Sequence, residues 1–422
     1  MKRTFKILLL VFFISTIYSY ILVISNIPNH ITLINGEKMH TKTLLGINIR
    51  ESELETIQTS AENEKSKLES ENSNELNLVE NITKKKAEVD LLGLLKIKEI
   101  NIDILPETTV IPNGKLAGVK LYTNGVLVVG MTEIKGDDNK KYKPYENTGI
   151  TEGDTIIKID NKQINSTEDL IKNVNISNGK EIKIEYIHEE ETKECSITPI
   201  KTRTSEYKLG LWVRDSAAGV GTVTFYEPET RSFVALGHGI TDIDTNELIN
   251  ISTGEFVTTR ILNISKGEIG NPGKIQGTIE NQTNIGTISK NCRFGIYGEV
   301  NNLSALGVDS TKEMKVAKRD EIQTGNASII CCIDNNEPKE YKIEIKKIFK
   351  ENNYDNKSML IKVTDEELLS KTGGIIQGMS GSPIIQNNKF IGAVTHVLVQ
   401  KPTEGYAVFG DIMIKELREV KN

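Results

Sequence analysis

Five histidines, four cysteines and one tryptophan are all that the 422 residues carry. Each scarcity excludes something. No cysteine pair has the CxxC spacing of a zinc site and no HExxH occurs, so neither a metal centre nor a cofactor is expected. Cys195, Cys292, Cys331 and Cys332 are scattered. The adjacent pair is held near trans-peptide spacing, too close to bridge to itself. The four read as mostly buried thiols, with a 195–292 bridge open, and give a cysteine peptidase little support. A formal charge of −6 leaves no basic footprint for nucleic acid. Trp212 lies in Leu209-Gly210-Leu211-Trp212-Val213 and reads as core.

Glycine, by contrast, is placed where chemistry would need it. In Gly378-Met379-Ser380-Gly381-Ser382-Pro383 the glycines let the backbone turn sharply around an exposed serine. The amides of Gly378 and Ser380 can then converge on one point as an oxyanion hole. Two apolar runs around Asn387-Asn388-Lys389 follow and read as a β-hairpin. A serine loop feeding a hairpin is the arrangement of chymotrypsin-like peptidases, unlike the strand–turn–helix elbow of α/β-hydrolases.

A serine needs a base. His30 and His40 follow the apolar N-terminus, and His188 sits among glutamates as a solvated turn residue. His238, in Leu236-Gly237-His238-Gly239-Ile240, ends a strand–turn–strand pattern and is the candidate base. His396 is expected to line a strand near the site. Three carboxylates could complete a triad. Asp242 and Asp244 follow the histidine in a turn-like Thr-Asp-Ile-Asp-Thr, and Asp365 precedes Glu366-Glu367-Leu368-Leu369 as a helix N-cap would. Spacing does not choose among them.

The His238 block, residues 373–383, and Gly392-Ala393-Val394-Thr395-His396-Val397 together resemble the stage IV sporulation protein B peptidases, serine endopeptidases of endospore-forming bacteria. The resemblance runs from about residue 105 to the C-terminus and includes the N-terminal apolar segment. It implies Ser380 as nucleophile, His238 as base and Asp365 as acid. It also implies a checkpoint between forespore and mother cell. There the peptidase would cut the extracytoplasmic part of an inhibitor of a membrane-embedded metalloprotease, which then releases an active late sigma factor. Partners would be protein substrates, membrane-bound sporulation signalling proteins and other copies of itself, cut in trans.

Lys2, Arg3 and Lys6 precede Ile7–Ile27, an uncharged run long enough to span a bilayer. Its length, and the lack of a small-x-small site after Tyr18-Ser19-Tyr20, favour a signal anchor over a cleaved signal peptide. The catalytic part would then lie outside the membrane. Residues 29–104 read as a polar linker, partly helical, with Leu54, Ala61 and Leu68 at heptad spacing. Such a linker is where self-cleavage would occur.

From 105 to 200 short strands take over. Ala117–Tyr122 and Val126–Gly130 flank Asn124-Gly125 and read as a hairpin. Gly149-Ile150-Thr151-Glu152-Gly153-Asp154 and the strand after it resemble the bacterial PDZ signature, with a helix at about 166–173 and a strand at 181–188. Such domains add an extended chain to a sheet edge beside a helix. The expected groove lies between Val119–Tyr122 and Glu168–Ile171. Gly118, Val119, Leu121 and Leu170 would line it, and the loop 113–118 would receive a carboxylate. Residues 201–422, with strand and turn signals throughout and a helical end, suit two packed barrels. The expectation is a mainly β chain: a transmembrane anchor at 1–28, the linker, a PDZ-like domain at 105–200 and a chymotrypsin-like double β-barrel peptidase domain at 201–422. The alternative function is a catalytically silent PDZ scaffold.

Overall fold

The computed structural model describes residues 13–15, 18, 21, 29–37, 47–51, 82–91, 95–189, 191–334, 337–349 and 356–420. Among these, no helix is long and apolar enough to cross a membrane. The expected span 7–27, and the heptad positions at Leu54, Ala61 and Leu68, fall almost wholly outside the described residues.

The stretch expected as a partly helical linker is, where described, a four-stranded sheet. Strands β1 (His30–Ile34), β2 (Ile47–Glu51), β3 (Thr83–Leu91) and β4 (Leu95–Leu105) lie in the order β1-β4-β3-β2. The cause is a period-two pattern hidden in a charged composition. Ala87, Val89, Ile100 and Ile102 point inward as one small core, while lysines and glutamates alternate with them.

Strand β5 (Thr109–Pro112) leads to β6 (Leu116–Met131). The expected hairpin at Asn124-Gly125 is absent, because β6 runs straight through it. Gly125 has φ 104°, and a Cβ there would lie 2.5 Å from the Ile156 carbonyl oxygen. The two halves of β6 therefore serve different domains. After β7 (Ile134–Lys135) and β8 (Lys141–Tyr142) come β9 (Thr155–Ile159), β10 (Lys162–Gln163) and helix α1 (Thr167–Ile176). Ser166 caps α1 by accepting from the Asp169 amide at 3.1 Å. Strands β11 (Ile182–His188) and β12 (Glu191–Ile197), the short pair β13 (Ile200–Lys201) and β14 (Tyr207–Lys208), and the second half of β6 complete a domain whose core includes Val126, Val128, Ile156, Leu170 and Ile184. His188 is no solvated turn residue, since its Nδ1 lies 2.7 Å from buried Asp154.

Strand β15 (Leu211–Glu227) returns along β6, from Leu211 opposite Met131 to Thr222 opposite Leu116. The PDZ-like domain is thus inserted between two neighbouring strands of a barrel and joined to it by one ribbon. With β16 (Ser232–Ala235), β17 (Ile251–Ser265), β18 (Lys274–Cys292) and β19 (Gly295–Val300), the pairings close a ring in the order β6-β17-β18-β19-β16-β15. This is the first barrel, and it begins near residue 116 rather than 201.

That arrangement overturns the expected peptide groove. Gly118, Val119 and Leu121 belong to the first barrel, where Val119 and Leu121 are core residues packed with Phe256 and Val223. Their strand is bonded on one side by β15 and on the other by β17, which leaves no edge for a peptide. Leu170 lies in the separate PDZ-like core. The strand beside α1 is instead β15: the Thr167 amide donates to Asp215 at 2.8 Å. Over Leu211–Ser216, β15 is paired only with β6 among the described residues. Trp212 on this stretch is 64% exposed rather than core.

Beyond helix α2 (Leu303–Leu306) and β20 (Met314–Lys315), strands β21 (Gly325–Cys331), β22 (Lys339–Ile348), β23 (Met359–Val363), β24 (Pro383–Gln386), β25 (Lys389–Val397) and β26 (Glu404–Phe409) form a second, closed barrel. Helix α3 (Glu366–Thr372) interrupts it and α4 (Gly410–Val420) ends it. Asn387 and Asn388, both at positive φ, make the two-residue turn between β24 and β25. All four cysteines are free thiols, which removes the 195–292 bridge. The barrels meet where Phe225 of β15 packs edge-on against Phe390 of β25, with ring centroids 5.1 Å apart and both rings fully buried. Phe390→Ala should cost about 3–5 kcal/mol, read as a lower denaturant midpoint; a change below about 1 kcal/mol would show that this contact does not hold the barrels together.

Candidate active site

The serine loop is built from close backbone approaches. Helix α3 ends at Gly373 in a left-handed conformation, and the chain then enters the loop before β24. Gly378 has φ 101°, a region L side chains rarely adopt. Met379 is fully buried and its amide donates back to the Ile376 carbonyl at 3.1 Å. The amides on either side of it, those of Gly378 and Ser380, have no hydrogen-bond partner among the described residues. Two bare N–H groups flanking a turned-away peptide are what an oxyanion requires.

Thr222 of β15 ties this loop to the first barrel. Its amide donates to the Ser380 carbonyl at 3.2 Å, and its hydroxyl donates to the Gly378 carbonyl at 2.7 Å. Its own carbonyl accepts from the Leu236 amide at 3.1 Å, so one residue holds both the serine and the histidine loops. Gly381 makes the approach possible: a Cβ there would lie 2.2 Å from the Thr222 oxygen and 2.5 Å from the Leu236 nitrogen.

After β16 the chain turns through Leu236 (φ 73°) and Gly237 (φ 68°). A left-handed leucine is a strained residue, and here it is buried. A Cβ on Gly237 would meet the Val394 oxygen at 3.2 Å, so His238 is delivered against β25. Its Nδ1 lies 2.8 Å from the Gly239 carbonyl. A carbonyl only accepts, so Nδ1 carries the proton and Nε2 is left as the basic nitrogen. Burial pushes the imidazole pKa below its ordinary 6.5, and the bond to Gly239 only partly opposes this. The ring faces that of His396, with centroids 5.2 Å apart. The Ser380 hydroxyl donates to the Thr395 carbonyl at 2.8 Å rather than to His238. Ser380, His238 and His396 are thus gathered at the junction of the barrels, with serine and histidine not yet joined.

No candidate carboxylate is bonded to His238. Asp365 caps α3: its Oδ1 accepts from the amides of Glu367 and Leu368, and its Oδ2 from that of Lys342. Burial raises this carboxyl, but those backbone donors outweigh it and hold its pKa below the ordinary value. Asp242 closes its turn on the amides of Asp244 and Thr245 and pairs with Arg214, which also binds Asp244 at 2.8 Å. The expected acid Asp365 and its reserves are therefore committed elsewhere.

Sequence reasoning missed Thr222, Leu236 and the hairpin between β17 and β18. Lys274 and Gln377 form a parallel bridge, in which the Ile275 amide donates to the Gln377 carbonyl at 2.8 Å. Ile275 also packs on Gly378, where a Cβ would lie 3.0 Å from its own. Nothing in the sequence marks a residue about 100 positions upstream as the support of the serine loop.

Residues 205–414 match the family model described as SpoIVB peptidase S55, and residues 119–198 match that of the PDZ domain. No curated protein matches the chain. Among solved structures, the PDZ domain of the SdrC-like protein of Listeria monocytogenes is 23% identical, over 21% of this chain and 87% of that one, with a TM-score of 0.18. A structure described as the HtrA-type protease AlgW with decapeptide is 8% identical, over 74% of this chain and 65% of that one, with a TM-score of 0.31.

Gly381→Val should lower kcat/KM by about 100-fold or more, the effect of displacing reacting groups by about 1 Å, while far-ultraviolet circular dichroism stays β-rich. Wild-type kinetics in this variant would show that the close approach does not set the site.

Proposed function

We propose that this member of the SpoIVB peptidase family, a serine endopeptidase, works in sporulation as a membrane-tethered peptidase. It cuts an extracytoplasmic segment of a regulator that restrains a membrane-embedded metalloprotease, and it also cuts other copies of itself. The observation that carries the catalytic reading is that the amides of Gly378 and Ser380 have no partner among the described residues, in the loop of a serine gathered with a half-buried histidine whose pKa burial holds below its ordinary value. The tether rests on Lys2, Arg3 and Lys6 before the uncharged span 7–27. The choice of substrate rests on family resemblance.

In this reading the Ser380 hydroxyl leaves the Thr395 carbonyl, and His238 Nε2 takes its proton as Oγ attacks the scissile carbonyl. The Gly378 and Ser380 amides receive the oxyanion. The imidazolium then protonates the departing amine, and water repeats the sequence on the acyl-enzyme. The Gly239 carbonyl holds the tautomer, the orienting part that a carboxylate plays elsewhere. A PDZ ligand would add to the open edge of β15 at Leu211–Ser216, beside α1.

The bond from Ser380 to Thr395, and the lack of a carboxylate bonded to His238 among the described residues, favour one rival, a silent scaffold. A fluorophosphonate probe separates the two readings. Wild type should label and Ser380→Ala should not, with peptide hydrolysis falling by several orders of magnitude, as on the order of 10⁶ in a well-studied peptidase. Wild-type protein that neither labels nor cuts a peptide would leave the scaffold.

The lowered pKa of His238 fixes a pH dependence. The base works only when neutral, so kcat/KM should fall as pH drops through a value below 6.5 and should hold from pH 7 upward as far as this group is concerned. An acid limb centred above 6.5 would mean that another group supplies the base.

A further inference from the structure

We propose that the N-terminal segment is a docked part of the peptidase: a chain cut between residues 52 and 81 remains a two-chain enzyme, gripped by its own N-terminal piece. The sheet order places the strands preceding that stretch on opposite edges of the β3–β4 hairpin that follows it. β1 pairs in parallel with β4, from His30 opposite Asn101 to Ile34 opposite Leu105. The ladder is extended at both ends, by the Asn101 amide donating to the Asn29 carbonyl at 2.9 Å and the Asn35 amide donating to the Leu105 carbonyl at 2.8 Å. On the far edge β2 pairs with β3, from Ile47 opposite Leu91 to Glu51 opposite Ala87. A cut between β2 and β3 breaks none of these bonds.

Side chains join this sheet to the catalytic barrels. Ile34 is 3% exposed and shares one apolar cluster with Leu105, Phe409, Met413 and Leu417. Buried Asp103 on β4 lies 2.6 Å from His30 Nε2 and 2.8 Å from Lys415 Nζ on α4. Past the end of β1, Glu37 accepts from the Ile34 amide at 3.1 Å and from the Arg319 amide at 2.9 Å. Arg319 in turn pairs with Asp411 at the start of α4 at 2.6 Å. Pulling out residues 29–37 would uncover an isoleucine-sized hole in the core and leave Asp103 without His30. Departure is therefore opposed by the forces that hold any core strand.

The consequence for release rests on the tether and self-cleavage readings above. A cut between 52 and 81 leaves the catalytic part on the membrane through the docked piece. A cut before Asn29 frees it with its sheet complete.

The test does not depend on self-cleavage. The recognition sequence of an unrelated protease is placed between residues 52 and 81 of full-length Ser380→Ala protein carrying an N-terminal affinity tag, in detergent. After complete cutting, the tag should retain the catalytic fragment at about one copy per N-terminal fragment, and both should co-elute on gel filtration. Catalytic fragment in the flow-through after complete cutting would overturn the proposal. Ile34→Asp, which buries a charge in the cluster, should lower the retained fraction by at least about tenfold. The uncut variant is first checked for an unchanged gel-filtration volume. Should it misfold, His30→Ala is used and should show a smaller loss. Retention unchanged in a folded variant would overturn the role of β1. Failure of the tether or of self-cleavage would leave both readouts unaffected.

Discussion

Between Gly381 and the first barrel there is no room for one methyl group, and the catalytic arrangement depends on that fact. A Cβ on Gly381 would overlap the Thr222 carbonyl and the Leu236 backbone. Thr222 meanwhile bonds the main chain on both sides of Met379 and receives the Leu236 amide. Serine and histidine come from different barrels, so their separation is set by how the barrels dock, and at Gly381 the approach is backbone to backbone. Backbone contacts transmit position with less play than long side chains do, because no rotamers intervene. Gly221 continues the theme: a Cβ there would lie 1.9 Å from a Leu236 methyl carbon. The strained Leu236 is thus met at its backbone by Gly381 and at the tip of its side chain by Gly221.

Local features of the site were legible in the sequence, and long-range ones were not. The glycine-flanked Ser380, the turn that delivers His238, the β24–β25 hairpin and the capped helices all follow from residues within a few positions of one another. The PDZ groove was misplaced for the opposite reason. Asn124-Gly125 is a strong local hairpin signal, but β15 and β17 each compete for β6 over many residues, and that long pairing outweighs a two-residue turn. The N-terminal sheet was missed because its apolar positions are few and its lysines many. Asp365 carried two readings from the start, cap and acid. The local one is what the geometry satisfies, since its oxygens are occupied by three backbone amides.

Inserting the PDZ-like domain within a barrel ribbon has a mechanical consequence. Over Leu211–Ser216 β15 has only β6 as a partner among the described residues and, six residues past Ser216, it carries Thr222. At about 3.3 Å per residue these points are roughly 20 Å apart on one strand. A peptide added at the open edge would stiffen the strand that holds the serine loop. Covalent continuity alone is not coupling, which needs an element with two discrete states. The Ser380 hydroxyl, bonded here to the Thr395 carbonyl, is the group whose second position would supply one.

Helix α4 shows how the rest of the chain fixes the docking on which the site depends. Its apolar face, with Ile412, Met413, Ile414 and Leu417, is buried in the core shared with the second barrel. Its polar side chains reach both the N-terminal sheet and the first barrel. Lys415 reaches Asp103 in the N-terminal sheet, Glu416 reaches Lys290 of β18, and Arg418 reaches Glu227 at the end of β15, while Asp411 takes Arg319. Arg418 and Glu227 are 2% and 1% exposed at their side chains, so their pairing contributes little net stability against the cost of drying both charges. Its value is discriminatory. Any docking of the barrels that separated the pair would strand a buried charge, at about 3–5 kcal/mol. The arrangement that satisfies these contacts together is also the one that sets Thr222 against the serine loop. Ion pairs too weak to account for stability can in this way select the geometry that brings the Ser380 and His238 loops to the same junction.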